Sequence, residues 1–179
     1  MRRTIESGSA MTAKPTARVI VGVIPGQPDA VVLQAATFAR RFNAELVCAS
    51  VDVNRYMVFD LGDGSMTSIP LDPDLVDPGE PGFEPGLLAH LTALLADVDV
   101  VWSTRSLAGD PALALGGLAD TLGAAMIVVG TREATVRASL GEFFNGSVAA
   151  HLAHRQHRPV VVIPLAPVAV DEALPWEPS

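Results

Sequence analysis

The chain of 179 residues has the length of one domain, and its 49% of hydrophobic residues is enough for a sizeable core. A net charge of -8 argues against a broad electropositive surface, so we expect neither nucleic acid nor a membrane as a partner. The single cysteine, Cys48, excludes an intrachain disulfide framework and a cysteine-based zinc cage. Its position in an apolar run predicts a buried, inert thiol. The chain has no apolar run of transmembrane length and no signal-peptide pattern, so we expect a cytoplasmic location.

Composition along the chain predicts one folded domain with two tails. Residues 1–16 are rich in Ser, Thr and Ala without periodicity, which predicts a mobile tail. The domain is expected to span 17–165, with an irregular insertion at 54–85 that is dense in Gly, Pro and Asp. Residues 166–179 are Pro-rich and acidic, which predicts an exposed tail.

The first part of the domain has the pattern of a β-α-β unit. Arg18 to Ile24 is a continuous β-branched run, typical of a strand buried on both faces of a parallel sheet. Asp29 is a candidate N-cap for a helix that ends near Phe42-Asn43, and Glu45 to Val53 predicts a second strand.

The insertion contains the pattern of a short hairpin. Tyr56 to Phe59 and Met66 to Ile69 are apolar and β-rich, and Leu61 to Gly64 between them suits a turn. The acidic residues of the insertion lack the spacing of a calcium loop, which favours a solvated surface loop.

Two helices and a strand follow the insertion. Gly86 to Ala96 has a leucine stripe at helical spacing, and Asp99 to Thr104 predicts the third strand. Asp110 is the N-cap candidate of the next helix, which Gly123 is expected to end. Gly116-Gly117 lies inside this helix, and we interpret the pair as allowing close packing of the helix on the sheet.

The last part of the domain contains a candidate anion site. Met126 to Val129 predicts a buried strand that stops at Gly130. Asn145 is an N-cap candidate for the following helix, with Gly146 and Ser147 in its first turn. That turn has unpaired N–H groups and the positive end of the helix dipole, which suit a phosphate. An ordinary β-α-β crossover with a polar loop is the alternative.

This segment resembles the C-terminal signature of the universal stress protein family. The family pattern is Gly, two residues, Gly, nine residues, Gly and then Ser or Thr, after a hydrophobic strand. Gly130 and Gly146-Ser147 match it, and Pro159 to Pro164 resembles the family's last strand. Glu133 takes the place of the middle glycine, and the loop is three residues longer than the pattern. The resemblance covers roughly residues 18–164.

The resemblance implies an α/β fold, Rossmann-like or flavodoxin-like, with an open parallel five-stranded sheet of order 3-2-1-4-5 and helices on both faces. Ligands bind such sheets beyond the carboxyl ends of the strands, where the strand order reverses. Ile24 stands where the family has an Asp that bonds adenine, so that side-chain contact is missing. The candidate nucleotide-binding residues around the crevice are Gly22, Val23, Ile24, Val51, Gly130, Thr131, Arg132, Gly146, Ser147 and Val148.

For function, the resemblance implies a stress protein that binds ATP or a related adenine nucleotide, with magnesium. It also implies a homodimer that pairs the last strand, Val160 to Ile163, with its copy. The alternative is a dimeric stress protein without nucleotide that acts through protein partners, and Ile24, Glu133 and the longer loop favour it. An unrelated flavodoxin-like or nucleotidyl-transfer enzyme is disfavoured for want of catalytic groups. We expect no catalytic residues and at most very slow ATP hydrolysis.

Histidines near the end of the chain raise the question of a metal site. His151, His154 and His157 are three residues apart, a spacing that drifts around a helix. They lack an accompanying carboxylate-histidine metal motif, so we favour a cationic complement to the helix end and expect no metal. His90 is expected at the solvent edge of its helix.

Overall fold

The structure is a computed structural model that describes residues 15, 17–59, 66–70, 82–131 and 148–165, with the backbone alone at 56–59 and 66–70. The elements in chain order are β1 (Ala17–Gly22), α1 (Ala30–Arg41), β2 (Ala44–Asp52), β3 (Arg55–Phe59), β4 (Met66–Pro70), α2 (Pro85–Leu94), β5 (Trp102–Ala108), α3 (Pro111–Leu122), β6 (Met126–Gly130), α4 (Val148–Arg155) and β7 (Val160–Ile163).

The main sheet has five parallel strands in the order β5-β2-β1-β6-β7. Numbered among themselves, these strands have the order 3-2-1-4-5, so the predicted topology is confirmed. The predicted hairpin is also confirmed, because β3 and β4 pair antiparallel as a separate two-stranded sheet.

Helices cover both faces of the sheet, as predicted. On one face, Val19 and Val21 of β1 belong to a buried cluster with Val31 of α1 and Leu91 of α2. On the other face, Ile20 belongs to a second cluster with residues of α3 and α4. This division follows from the alternation of side chains along a buried strand.

Capping residues define the ends of α2 and α3. Asp110 accepts a hydrogen bond from the Leu113 N–H at 2.9 Å, and Gly123 ends α3 in the left-handed region at φ 59°. Both predictions are confirmed. Helix α2 begins one residue before the predicted start, because Glu84 caps it and Pro85 takes its first position.

Two sequence-based interpretations are wrong at the ends of elements. β5 begins three residues after the predicted Asp99 and continues to Ala108, because an edge strand can carry the exposed side chains of Arg105 and Ser106. Asp29 makes no capping hydrogen bond at the start of α1. Its Oδ1 lies 2.7 Å from His90 Nε2 instead, so its carboxylate links α1 to α2.

The explanation of the glycine pair in α3 is also wrong. A Cβ at Gly116 would meet Gln156 Cβ at 3.7 Å, next to α4 rather than the sheet. A Cβ at Gly117 would meet no atom within 4 Å. Close packing on the sheet therefore requires neither glycine.

The predictions for Cys48 and for His90 are confirmed. Cys48 is fully buried and free, and burial raises the pKa of its thiol from the ordinary 9.0 to about 12. His90 is about half exposed at the edge of α2.

His151, His154 and His157 are exposed, and the described residues include no group of three side chains able to hold a metal ion. Every helix that the structure describes is too short or too polar to cross a bilayer.

Candidate functional site

The strand order of the sheet reverses between β1 and β6. β1 continues into α1 on one face, whereas β6 precedes α4 on the other face. The two strands are neighbours with Val21 opposite Val128, so their carboxyl ends lie side by side. In open parallel α/β sheets, ligands usually bind at such a point, where the two connections diverge to opposite faces.

Three of the predicted residues lie toward the α3–α4 face of this edge. A Cβ at Gly22, the last residue of β1, would lie 3.3 Å from Leu115 Cδ1. Val51 of β2 and Val148, the first residue of α4, are half-buried and pack against the same hydrophobic cluster. Gly22, Val51 and Val148 therefore lie on the same face of the sheet.

Gly130 ends β6 on the opposite face. A Cβ there would lie 2.9 Å from Val31 Cγ2 and 3.1 Å from Leu165 Cδ1. An alanine would therefore push against α1 and against the chain that leaves β7. Packing alone is a sufficient reason for a glycine at this position.

Thr131 makes two hydrogen bonds, one to the end of β7 and one to the chain that follows it. Its backbone N–H donates to the Ile163 carbonyl at 2.8 Å, and its hydroxyl oxygen accepts from the Leu165 N–H at 2.8 Å. The hydroxyl hydrogen is still available to donate, so this role leaves one donor for a ligand.

The loop after β1 carries the other two predicted residues. The Val23 N–H donates to the Ala49 carbonyl at 2.9 Å, and the Val23 side chain is buried. Ile24 is 51% exposed and begins a turn closed by a 3.3 Å bond from the Gln27 N–H to its carbonyl. Proline at the second position and Gly26 at the third, with φ 75°, are typical of a type II turn. The exposed side chain of Ile24 is thus an apolar group just beyond the carboxyl end of β1.

The same loop forms one wall of a cavity of about 320 Å³, which we call the α1–α2 pocket. Its lining residues are Val23, Ile24, Gly26, Gln27, Pro28, Asp29, Val32, Leu87, His90 and Leu91. Of these, only Val23 and Ile24 are among the binding residues that the sequence predicts. For Gln27, the sequence offers one indication, a long polar side chain next to the start of a helix. For the contact between Asp29 and His90 it offers none, because that contact depends on how two helices pack.

Three predicted residues lie outside the part of the chain that the structure describes. They are Arg132, Gly146 and Ser147, and the substituted position Glu133 and the candidate cap Asn145 also lie there. Their assignment to the phosphate end of the crevice stays a prediction.

The fold is that of an open parallel α/β domain, a class that usually binds ligands where the strand order reverses. A model of the universal stress protein family matches residues 16–164. The chain belongs to the universal stress protein family, as the resemblance predicted. A search of the curated proteins found no match to the chain.

Solved structures of the family have a similar fold. A universal stress protein in complex with cAMP is 22% identical, with a TM-score of 0.53 over 85% of this chain and 99% of that one. A universal stress protein from Archaeoglobus fulgidus is 18% identical, with a TM-score of 0.53 over 82% and 93% of the two chains. One from the same organism in complex with dAMP is 16% identical, with a TM-score of 0.51 over 82% and 97%. At these identities the likeness is one of fold.

Proposed function

We propose that this universal stress protein binds ATP or a related adenine nucleotide, with magnesium, in the crevice between β1 and β6, and acts in stress response. The observation that carries the proposal is the adjacency of the carboxyl ends of β1 and β6, from which the connections diverge to opposite faces. The adenine nucleotides in two similarly folded family members, cAMP and dAMP, support the choice of ligand.

In this proposal the phosphates bind the loop between β6 and α4. Gly130, Thr131 and Arg132 would contact them from one end of the loop. Gly146 and Ser147, immediately before α4, would offer backbone N–H groups at the positive end of the helix dipole. The base would contact the backbone of Val23, Ile24 and Val51, because these side chains have no hydrogen-bonding group.

The proposal describes a binding protein rather than an enzyme, with at most very slow ATP hydrolysis. It includes a homodimer through β7, whose Val162 is 43% exposed at the edge of the sheet. It also includes a cytoplasmic location, where a reducing environment suits the free thiol of Cys48.

A dimeric stress protein that acts through protein partners without nucleotide is the second candidate. The packing of Gly130 against Val31 and the bond from Leu165 to the Thr131 hydroxyl give both predicted residues a structural role. Ile24 offers no side-chain acceptor to an adenine amine. These features support a domain that keeps the family fold without the ligand.

Thermal unfolding with ATP and magnesium separates the two candidates. A ligand at about one hundred times its Kd stabilises the native state by about 2.7 kcal/mol, which should raise Tm by roughly 5–10 °C in a protein of this size. Gly146→Glu should remove that increase, because its carboxylate would repel the phosphates.

Gly117→Glu is the matched control. Gly117 is exposed on α3 and a Cβ there meets no atom within 4 Å, so the same change should leave the ATP-induced increase intact. Equal loss in both variants would indicate a general charge effect. Absence of any increase in the wild type at millimolar ATP would favour the second candidate.

A further inference from the structure

The α1–α2 pocket is lined mainly by apolar side chains just beyond the carboxyl end of β1. Four of them, Val23, Val32, Leu87 and Leu91, are no more than 6% exposed. Ile24, in contrast, lines the pocket with 51% of its surface exposed. The volume of about 320 Å³ falls at the lower end of the range of small-molecule sites, which suits a single aromatic side chain.

The chain that leaves β7 reaches the same face of the sheet, next to the start of α1. Leu165 packs against the buried cluster that contains all four of the buried pocket residues. Its side chain and that of Val31 would both contact a Cβ at Gly130, at 3.1 Å and 2.9 Å. Asp29, which lines the pocket, precedes Val31 by two residues. Leu165 therefore lies close to the pocket.

The segment of residues 166–179 continues from Leu165 and lies outside the described residues. It contains one aromatic residue, Trp176, eleven positions after Leu165. An extended chain spans at least 3.3 Å per residue, so these positions allow a reach of about 36 Å. That reach is ample, because Leu165 already lies beside the first turn of the helix that forms one wall of the pocket.

The chemistry of the indole ring matches the lining of the pocket. An indole is a large apolar group that gains free energy when valine and leucine side chains surround it. Its Nε1–H is a donor that needs an acceptor when the ring is buried. The Asp29 carboxylate, half exposed at the pocket, has acceptor capacity beyond its 2.7 Å contact with His90.

We propose that residues 166–179 fold back on their own chain and place the Trp176 indole in the α1–α2 pocket, where it competes with a bound nucleotide. The competition rests on the proposed function, because Val23 and Ile24 line the pocket and are also assigned to the base. The segment has three acidic residues and neither Lys nor Arg. Their repulsion from Asp29 weakens the contact, so a nucleotide can displace it.

Fluorescence quenching tests the docking in a Trp102→Phe background, where Trp176 is the only tryptophan. Acrylamide should quench Trp176 several-fold less in this protein than in a free peptide of residues 166–179. Ile24→Glu places a charge at the pocket and should restore quenching to the level of the peptide. Val101→Glu is the matched control, because Val101 is 52% exposed at the opposite end of the sheet, and it should leave Trp176 protected.

Quenching at the level of the peptide in the folded Trp102→Phe protein would overturn the proposal, as would unchanged protection after Ile24→Glu. Far-UV circular dichroism of each variant confirms that it is folded. Protection that disappears on dilution, or when Val162→Lys is added, would assign the docked segment to a second copy of the chain. That result would overturn docking within one chain.

Calorimetric titration with ATP and magnesium tests the competition. Trp176→Ala leaves the pocket free, so the Kd for ATP should fall several-fold, because the binding-competent form is then more populated. Pro178→Ala keeps the indole and should leave this Kd unchanged. Addition of ATP to the Trp102→Phe protein should in turn increase the quenching of Trp176, because the displaced indole enters solvent.

The docking and the proposed function fail in different ways. A protected Trp176, without ATP binding in either the wild type or Trp176→Ala, would support the docking and contradict the proposed function. ATP binding with the same Kd in the wild type and in Trp176→Ala would support the proposed function and overturn the competition.

Discussion

Gly130 and Thr131 show how a residue of a ligand-binding motif can have a second role within the fold. Gly130 lets Val31 of α1 and Leu165 approach the end of β6, and Thr131 accepts the Leu165 N–H. Either contact can retain the residue in a protein that has lost its ligand. The presence of Gly130 is therefore weaker support for nucleotide binding than a measured effect of Gly146→Glu on ATP binding would be.

Cys48 should make the stability of the protein sensitive to alkaline pH. Burial raises the pKa of its thiol to about 12, above the ordinary value of 9.0. The folded state thus retains this proton more strongly than the unfolded state. Its contribution to stability is fully present below pH 9.0 and is lost as pH rises toward 12.

We expect the free energy of unfolding of the wild type, relative to Cys48→Ala, to fall by about 1 kcal/mol between pH 8 and pH 10. Urea unfolding of both proteins at the two pH values measures this difference. Parallel pH profiles would contradict the buried, protonated thiol. Reaction of the native thiol with a disulfide reagent at pH 8 serves as a control and should be negligible.

At the scale of elements, helix ends depend on the residues that cap them. The Glu84 carboxylate accepts hydrogen bonds from the backbone N–H groups of Gly86 and Leu87 at the start of α2. We expect Glu84→Ala to lower the free energy of unfolding by about 1 kcal/mol, because it leaves these groups without their acceptor. Urea unfolding at neutral pH measures the loss.

Asp29→Ala is the comparison, because Asp29 precedes α1 but does not cap it. Its exposed contact with His90 should contribute little, so this variant should remain within about 0.5 kcal/mol of the wild type. If Asp29→Ala lowers the free energy of unfolding as much as Glu84→Ala does, or more, the result would contradict the conclusion that Glu84 caps its helix and Asp29 does not.

Sequence patterns predicted the elements well because buried strands and amphipathic helices have strong periodic signals. The run from Arg18 to Ile24 has no polar residue after its first position, and β1 is buried on both faces. β5 is an edge strand with exposed polar side chains, so hydrophobicity failed to locate its end at Ala108. The α1–α2 pocket could not be predicted, because Asp29 and His90 meet only through the packing of two helices distant in sequence.

At the scale of the whole molecule, the open sheet has two edges, β5 and β7. An edge strand presents unpaired backbone groups that a second copy can pair with. β7 is the short apolar strand Val160–Ile163 and leaves Val162 43% exposed, whereas β5 carries exposed polar side chains. The β7 edge is therefore the better surface for the proposed homodimer.

We expect the wild type to sediment at twice the chain mass, and Val162→Lys to sediment as a monomer at the same micromolar concentration. A lysine at the centre of the paired edge would bring like charges of the two copies together, because a two-fold axis repeats each contact. Analytical ultracentrifugation over a concentration series measures the shift in the dissociation constant.

Val101→Lys places the same substitution at the opposite end of the sheet, where Val101 is 52% exposed immediately before β5. The proposal requires this variant to remain dimeric. A monomeric wild type at high concentration would contradict pairing through β7. Dissociation of the dimer by Val101→Lys but not by Val162→Lys would instead locate the interface at the β5 edge.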